Sequence, residues 1–281
     1  MSEGAPGRAL IWTVAVGVAL LVWPWVLAWL QRTRPAWLAG TGVVDLDDLR
    51  RSLDRAGAPR PGTVAAWLSL VTVAALLPAG RGFFAADLDV GVFWLAVLVL
   101  PALPWADTRG ITLAAAGLST LALCIAPVAL RAASLNLADL AIGQQGGAGN
   151  WFLLRDPFLL LAAMIFLLTT ATLWPSPTTA RTGGGPQVLL DAALRAGLPL
   201  VLAHLFVVVF LGGWWAFAPF IDGAALVNTV LKTLAVVAFL LLVRRRTAWV
   251  DTANLGRLLP LAGLVCAAGS AIWMTLTGAA W

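Results

Sequence analysis

The chain has 281 residues, 61% of them hydrophobic and 11% charged, with a mean hydropathy of +0.92. Soluble domains carry roughly 25% charged and about 45–50% apolar residues, so a water-soluble monomer is excluded. The formal charge of +5 rests on arginines between apolar runs, which points to lipid or protein partners and not to nucleic acid.

A membrane-crossing helix needs ~20 mostly apolar residues, because ~30 Å of hydrocarbon is crossed at ~1.5 Å per residue and lipid satisfies no open backbone group. Eight stretches reach or approach that length, and they predict an all-α polytopic membrane helix bundle, a single membrane domain over 1–281. The first, Ala9–Leu30, is too long for a cleaved signal and has no small-residue cleavage site before Gln31 and Arg32. A long loop, 31–62, follows. In it Leu46, Leu49 and Leu53 share one helical face, with Asp47, Asp48, Arg50, Arg51 and Asp54 elsewhere, the pattern of an amphipathic helix lying on the membrane or packed on a partner.

The second stretch is Thr63–Ala79. The third, Val90–Trp105, is short and interrupted by Pro101 and Pro104, so a bent or partly unwound segment is expected. The fourth is Ile111–Leu130. Gly143–Asn150 then reads as a flexible turn, since its glycines fit no phosphate-binding spacing. The fifth, Pro157–Trp174, leads into a predicted cytoplasmic loop, 175–195. Ala196–Trp215, Ala225–Val243 and Leu258–Gly278 complete the set.

Cytoplasmic loops collect Lys and Arg near helix ends. With eight spans, thirteen of the seventeen arginines fall on the side of the odd-numbered loops and four on the other. The expected placement is therefore a multi-pass protein of the plasma membrane with both termini outside the cytoplasm.

The sequence holds no zinc-type cluster, thiol pair or P-loop, and a Ser-His-Asp arrangement has only His204 to draw on. Cys124 and Cys266 lie in apolar runs, where cysteine is a small buried hydrophobe. Ionisable groups in or near the spans are the remaining candidates, because a charge in the bilayer is costly enough to need a function or a partner. Lys232, His204, Asp139 and Asp191 are the candidate ion path, with Asp222 at a span end. The structural alternatives are snorkelling for Lys232, neutral hydrogen-bonded packing for His204, and helix capping or solvation for the aspartates.

From residue 130 onward, the order of short motifs resembles the H subunit of respiratory complex I and its relatives in energy-converting membrane-bound [NiFe] hydrogenases. The segments that carry the resemblance are Ser134–Gln144, Trp151–Pro157 with the apolar helix after it, Phe210–Trp214, and Lys232, Arg244, Asp251 and Leu258–Leu261 in the family's order. The first 130 residues agree in layout. The resemblance implies a subunit without a cofactor of its own, joined to antiporter-like membrane subunits and to a cytoplasmic module, an iron–sulfur, hydrogenase-like or quinone-module subunit. Arg50, Arg51, Arg55, Arg244, Arg245 and Arg246 would be its docking surface, and the iron–sulfur clusters would lie in the partners.

The family's quinone cavity is opened by a Glu, an Arg and a Pro-Phe-Asp motif followed by further glutamates. Here Thr172 stands for the Glu, Pro175 for the Arg, and Pro177, Thr178 and Thr179 for the Pro-Phe-Asp. The sole glutamate of the chain is Glu3. The acidic quinone site is therefore not expected, and three readings stand: a diverged coupling subunit of a redox-driven ion-translocating assembly, a stand-alone transporter or channel with no redox partner, or a purely structural scaffold whose ion path is dead.

Overall fold

The computed structural model describes residues 5–33, 50, 57–78, 108–145, 148–173, 185–213, 222–247 and 252–277. These form α1 (Ala5–Thr33), α2 (Pro61–Leu76), α3 (Thr108–Ala132), α4 (Leu137–Ile142), α5 (Phe152–Arg155), α6 (Pro157–Leu173), α7 (Gly185–Phe210), α8 (Asp222–Thr247) and α9 (Thr252–Thr277), with one 3₁₀ turn at Ala148–Asn150. No strand occurs among the described residues. Segments of α1, α3, α7, α8 and α9 are long and apolar enough to cross a membrane, and α2 and α6 are shorter apolar helices. The protein is a multi-pass helical bundle. The third apolar stretch, Val90–Trp105, lies outside the described residues, as does the amphipathic segment of the first loop apart from Arg50, which is exposed.

The centre of the bundle is α7. It packs against α1, α2, α6, α8 and the short α4, while α9 and α3 lie together against α6. Between lipid-solvated helices burial of apolar surface drives little, and close approach through small residues does more. Gly197 shows this: a Cβ there would sit 2.8 Å from Leu70 Cδ2 of α2 and 3.1 Å from Leu20 Cδ2 of α1. Further along α7, Phe206 and Phe210 form a triangle with Phe166 of α6, with ring centroids 5.1–5.8 Å apart. The outward faces are apolar as lipid requires. On α1, Ile11, Val14, Val18 and Val22 recur at helical spacing and are exposed; on α9, Leu258, Leu261 and Val265 do the same.

One boundary differs from expectation. Helix α7 starts at Gly185 and not near Ala196, so residues 185–195 are helix and not cytoplasmic loop. Polar Gln187, Asp191 and Arg195, one turn apart, interrupt the apolar run and hide the helix from a hydropathy reading. They are accommodated because protein, not lipid, faces them: Gln187 and Arg195 are buried, Arg195 at 8% exposure. Arg195 therefore leaves the set of loop arginines. Arg244, Arg245 and Arg246 likewise belong to the last turns of α8.

Candidate functional site

Among the described residues, buried polar groups gather at the two ends of α7, with His204 between them, and a further pair joins α6 to α9. At its head, buried Gln187 ties α7 to the start of α2. Its Oε1 accepts the backbone N–H of Arg60 at 2.7 Å, and its Nε2 donates to Thr63 Oγ1 at 2.8 Å and to Asp191 Oδ1 at 3.0 Å. The charges of Arg195 and Arg60 both act on the Asp191 carboxylate. A carboxylate and a guanidinium four residues apart on one helix form a local charge pair that a protein-lined interior tolerates.

In the last third of α7, His204 Nε2 lies 3.2 Å from the carbonyl oxygen of Pro78. A carbonyl only accepts, so that nitrogen carries the proton and donates. The ring closes the end of α2 onto α7.

The foot of α7 is built around its C-terminal carbonyls, which a helix leaves without intrahelical donors. Here each described carbonyl bond has a traceable source. The Val207 carbonyl accepts N–H bonds from Leu211 at 3.1 Å and Gly213 at 2.9 Å. The Val208 and Val209 carbonyls accept from Gln144 Nε2 at 3.3 and 3.0 Å, and the same nitrogen donates to Leu140 at 3.0 Å. Gln144 Oε1 accepts the Phe152 N–H at 3.0 Å, so one fully buried side chain joins α4, α5 and α7. The carbonyls of Leu211 and Gly213 accept from Lys232 Nζ of α8, at 2.7 and 2.8 Å. The third side of the ammonium lies over Trp151, 5.2 Å from the ring centroid.

The turn that presents these carbonyls depends on two left-handed glycines, Gly212 at φ +69° and Gly213 at φ +53°. Any Cβ would be strained there and would also crowd Gln144 and Trp151 or Ala141.

A further buried acid, Asp156, is 3% exposed at the head of α6. Its Oδ1 accepts the Phe158 N–H at 2.7 Å, and its Oδ2 accepts the Ser270 hydroxyl of α9 at 2.9 Å. It caps α6 and pins that helix to α9.

The candidate ion-path residues do not form one chain. Asp191 sits at the head of α7, His204 thirteen residues on, roughly 20 Å along the axis, and Lys232 reaches the foot from α8. Asp139 is exposed in the first turn of α4, where its Oδ2 accepts the Ser134 hydroxyl at 2.8 Å beside the Asn136 cap. Asp222 is the first residue of α8. Of the docking arginines, Arg50 is exposed and Arg244 half-buried; Arg51 and Arg55 lie outside the described residues.

Thr172, Pro175 and Pro177 stand at the positions that the resemblance sets against the family's quinone-cavity motif. The Thr172 hydroxyl donates back to the Thr169 carbonyl of its own helix at 2.8 Å, while Pro175 and Pro177 lie outside the described residues. The Thr172 hydroxyl thus spends its polar group within α6. Among the described residues no cluster of His, Cys, Asp or Glu could hold a metal ion.

Gln144, Asp156 and Gln187 were not among the residues singled out from the sequence. Asp156 carried a local signal, an Asp–Pro pair opening an apolar run, which is a helix start. Gln144 lies at the end of the Ser134–Gln144 motif, but its partners Val208 and Val209 are more than sixty residues away.

No family model matches the chain, and no curated protein does. Among solved structures, it is similar to a chain of the membrane-bound sulfane sulfur reductase, described as an archaeal respiratory membrane complex. The TM-score is 0.70 at 16% identity, over 96% of this chain and 99% of that one. At that identity the likeness carries the fold.

Proposed function

We propose that this chain is the membrane-embedded anchoring and coupling subunit of a redox-driven, ion-translocating assembly of the complex I and membrane-hydrogenase kind. The observation that carries the reading is the end-to-end fold likeness to a chain of a respiratory membrane complex. The order of motifs from Ser134 to Leu261 supports it independently. On this reading the chain performs no redox chemistry of its own. Cytoplasmic iron–sulfur or hydrogenase-like subunits dock on its arginine-rich surface, antiporter-like subunits and lipid meet its flanks, and the protein lies in the plasma membrane. The absence of the motif acid at Thr172 favours an electron donor and acceptor held in the cytoplasmic module over a quinone bound here.

Mild-detergent purification of the tagged chain from its native membrane tests this. The expected result is co-isolation of antiporter-like membrane subunits with an iron–sulfur or hydrogenase-like subunit. A stable homo-oligomer that transports an ion or solute unaided would overturn the reading in favour of a stand-alone transporter.

A further inference from the structure

The foot of α7 gathers neutral oxygens and one aromatic face around a single charge. Lys232 Nζ donates to the carbonyls of Leu211 and Gly213 at 2.7 and 2.8 Å, and Trp151, at the N-cap of α5, lays its ring over the same atom, 5.2 Å from the centroid. These groups come from separate parts of the chain. They converge because Gly212 and Gly213 take left-handed backbone, which turns the chain after α7 so that its carbonyls meet a side chain of α8. The Trp151 ring packs on the same turn: a Cβ at Gly212 would lie 3.3 Å from Trp151 Cδ1.

Such a cradle is a cation receptor, and its details select the cation. Two hydrogen bonds alone would suit a neutral amine, but a ring face attracts charge. A buried indole N–H ordinarily finds an acceptor, whereas Trp151 Nε1 is buried without one. The ring is therefore set by what its face meets and not by its N–H. The carbonyls follow the C-terminus of α7, the negative end of the helix dipole. Divalent ions are disfavoured. Magnesium and calcium hold oxygen at roughly 2.0–2.6 Å and call for carboxylates, while the oxygens here stand farther from Nζ and every partner of the ammonium is neutral. Backbone carbonyls in place of a hydration shell are how potassium is bound, and the ammonium and potassium ions are close in size.

We propose that the foot of α7 is a binding site for one monovalent cation of ammonium or potassium size, and that Lys232 is its tethered occupant. The tether keeps a free ion out. The charge stays where the carbonyls hold it, so Lys232 supplies a fixed positive charge and not a step in an ion path. The site follows from the chain's own geometry and is independent of which assembly the chain joins.

The test uses the full chain in detergent at constant ionic strength, read by thermal melting. n-Propylammonium reproduces the part of the side chain that Lys232→Ala removes, and n-propanol is its uncharged counterpart. The melting temperature of Lys232→Ala is expected to rise saturably with n-propylammonium chloride, less with potassium chloride, and not with sodium chloride or n-propanol. Wild type, its site filled, should respond to none of these. Adding Trp151→Leu should weaken the n-propylammonium response about fivefold, the weight of one cation–π contact. If Lys232→Ala does not fold, wild type carries the test: Lys232 is the only lysine of the chain, so 15N-lysine labelling gives one side-chain ammonium signal. That signal is expected to be protected from water exchange and unchanged between sodium and potassium chloride. Equal gains from n-propanol and n-propylammonium, sodium as effective as potassium, a wild type that responds as Lys232→Ala does, a folded Lys232→Ala without a cation response, or an ammonium signal lost to rapid water exchange would each overturn the proposal.

Discussion

Lys232 has three N–H donors, and the structure accounts for the whole ammonium: two backbone carbonyls and the face of Trp151. A bare ammonium in the bilayer is costly, so those partners explain how a lysine persists in the middle of an apolar helix. They also fix it in place. Its charge lies at the carbonyl end of α7, where the helix dipole is negative, and its removal leaves the Leu211 and Gly213 carbonyls without that donor. Gln144 serves the adjacent pair of carbonyls. Lys232→Met and Gln144→Leu are each expected to destabilise the protein by roughly 1–3 kcal/mol, the usual cost of stranding buried polar groups. Because both act on one turn, the double variant should lose less than the two single losses together, with a coupling of at least about 0.5 kcal/mol. Reversible unfolding in mixed micelles measures all four species. Wild-type stability in Lys232→Met would remove the capping role and return the residue to the candidates for ion transfer.

The apolar stretches placed most of the described helices, because the length of an uncharged run is dictated by the thickness of the membrane and can be read locally. The head of α7 escaped that reading because Gln187, Asp191 and Arg195 look like loop residues until α2 is seen beside them. The same asymmetry holds at the site. Lys232 and His204 stood out as polar residues in apolar runs, whereas Gln144 sat in a glycine-rich segment and was specified only by distant carbonyls. What no local pattern encodes is how closely α7 approaches its neighbours. Gly197 sets that approach, and the atoms a Cβ would meet are the ends of two leucines that can rotate aside. Gly197→Ala should therefore cost less than about 1 kcal/mol, whereas the branched Gly197→Val should force α7 from α1 and α2 at roughly 1–3 kcal/mol, the range for overpacked cores. Thermal melts of the two variants distinguish them; equal stability would show that α7 does not rest on those leucines.

For the molecule as a whole, the crossing count decides which face meets a cytoplasmic partner. Among the described residues five helices have spanning length, and α2 and α6, at 16 and 17 residues, are shorter. If α2 and α6 cross as well, the described helices contribute seven passages, and the parity rests on residues 79–107. One further passage there makes eight and puts both termini on one side, and the distribution of arginines then places that side outside. Moving Arg195 from loop to interior weakens neither step, since the remaining arginines still favour the odd-numbered loops by a wide margin. The two native cysteines, Cys124 and Cys266, are fully buried, so a cysteine introduced at Ser2→Cys or Trp281→Cys can be labelled against a silent background. Both variants are expected to react with a membrane-impermeant maleimide added to intact cells. Reaction of only one would mean an odd number of passages and a segment 79–107 that does not cross once. Reaction of neither until the cells are opened would turn the bundle over, moving the Arg244–Arg246 end of α8 to the outside and removing it as a dock for a cytoplasmic redox module.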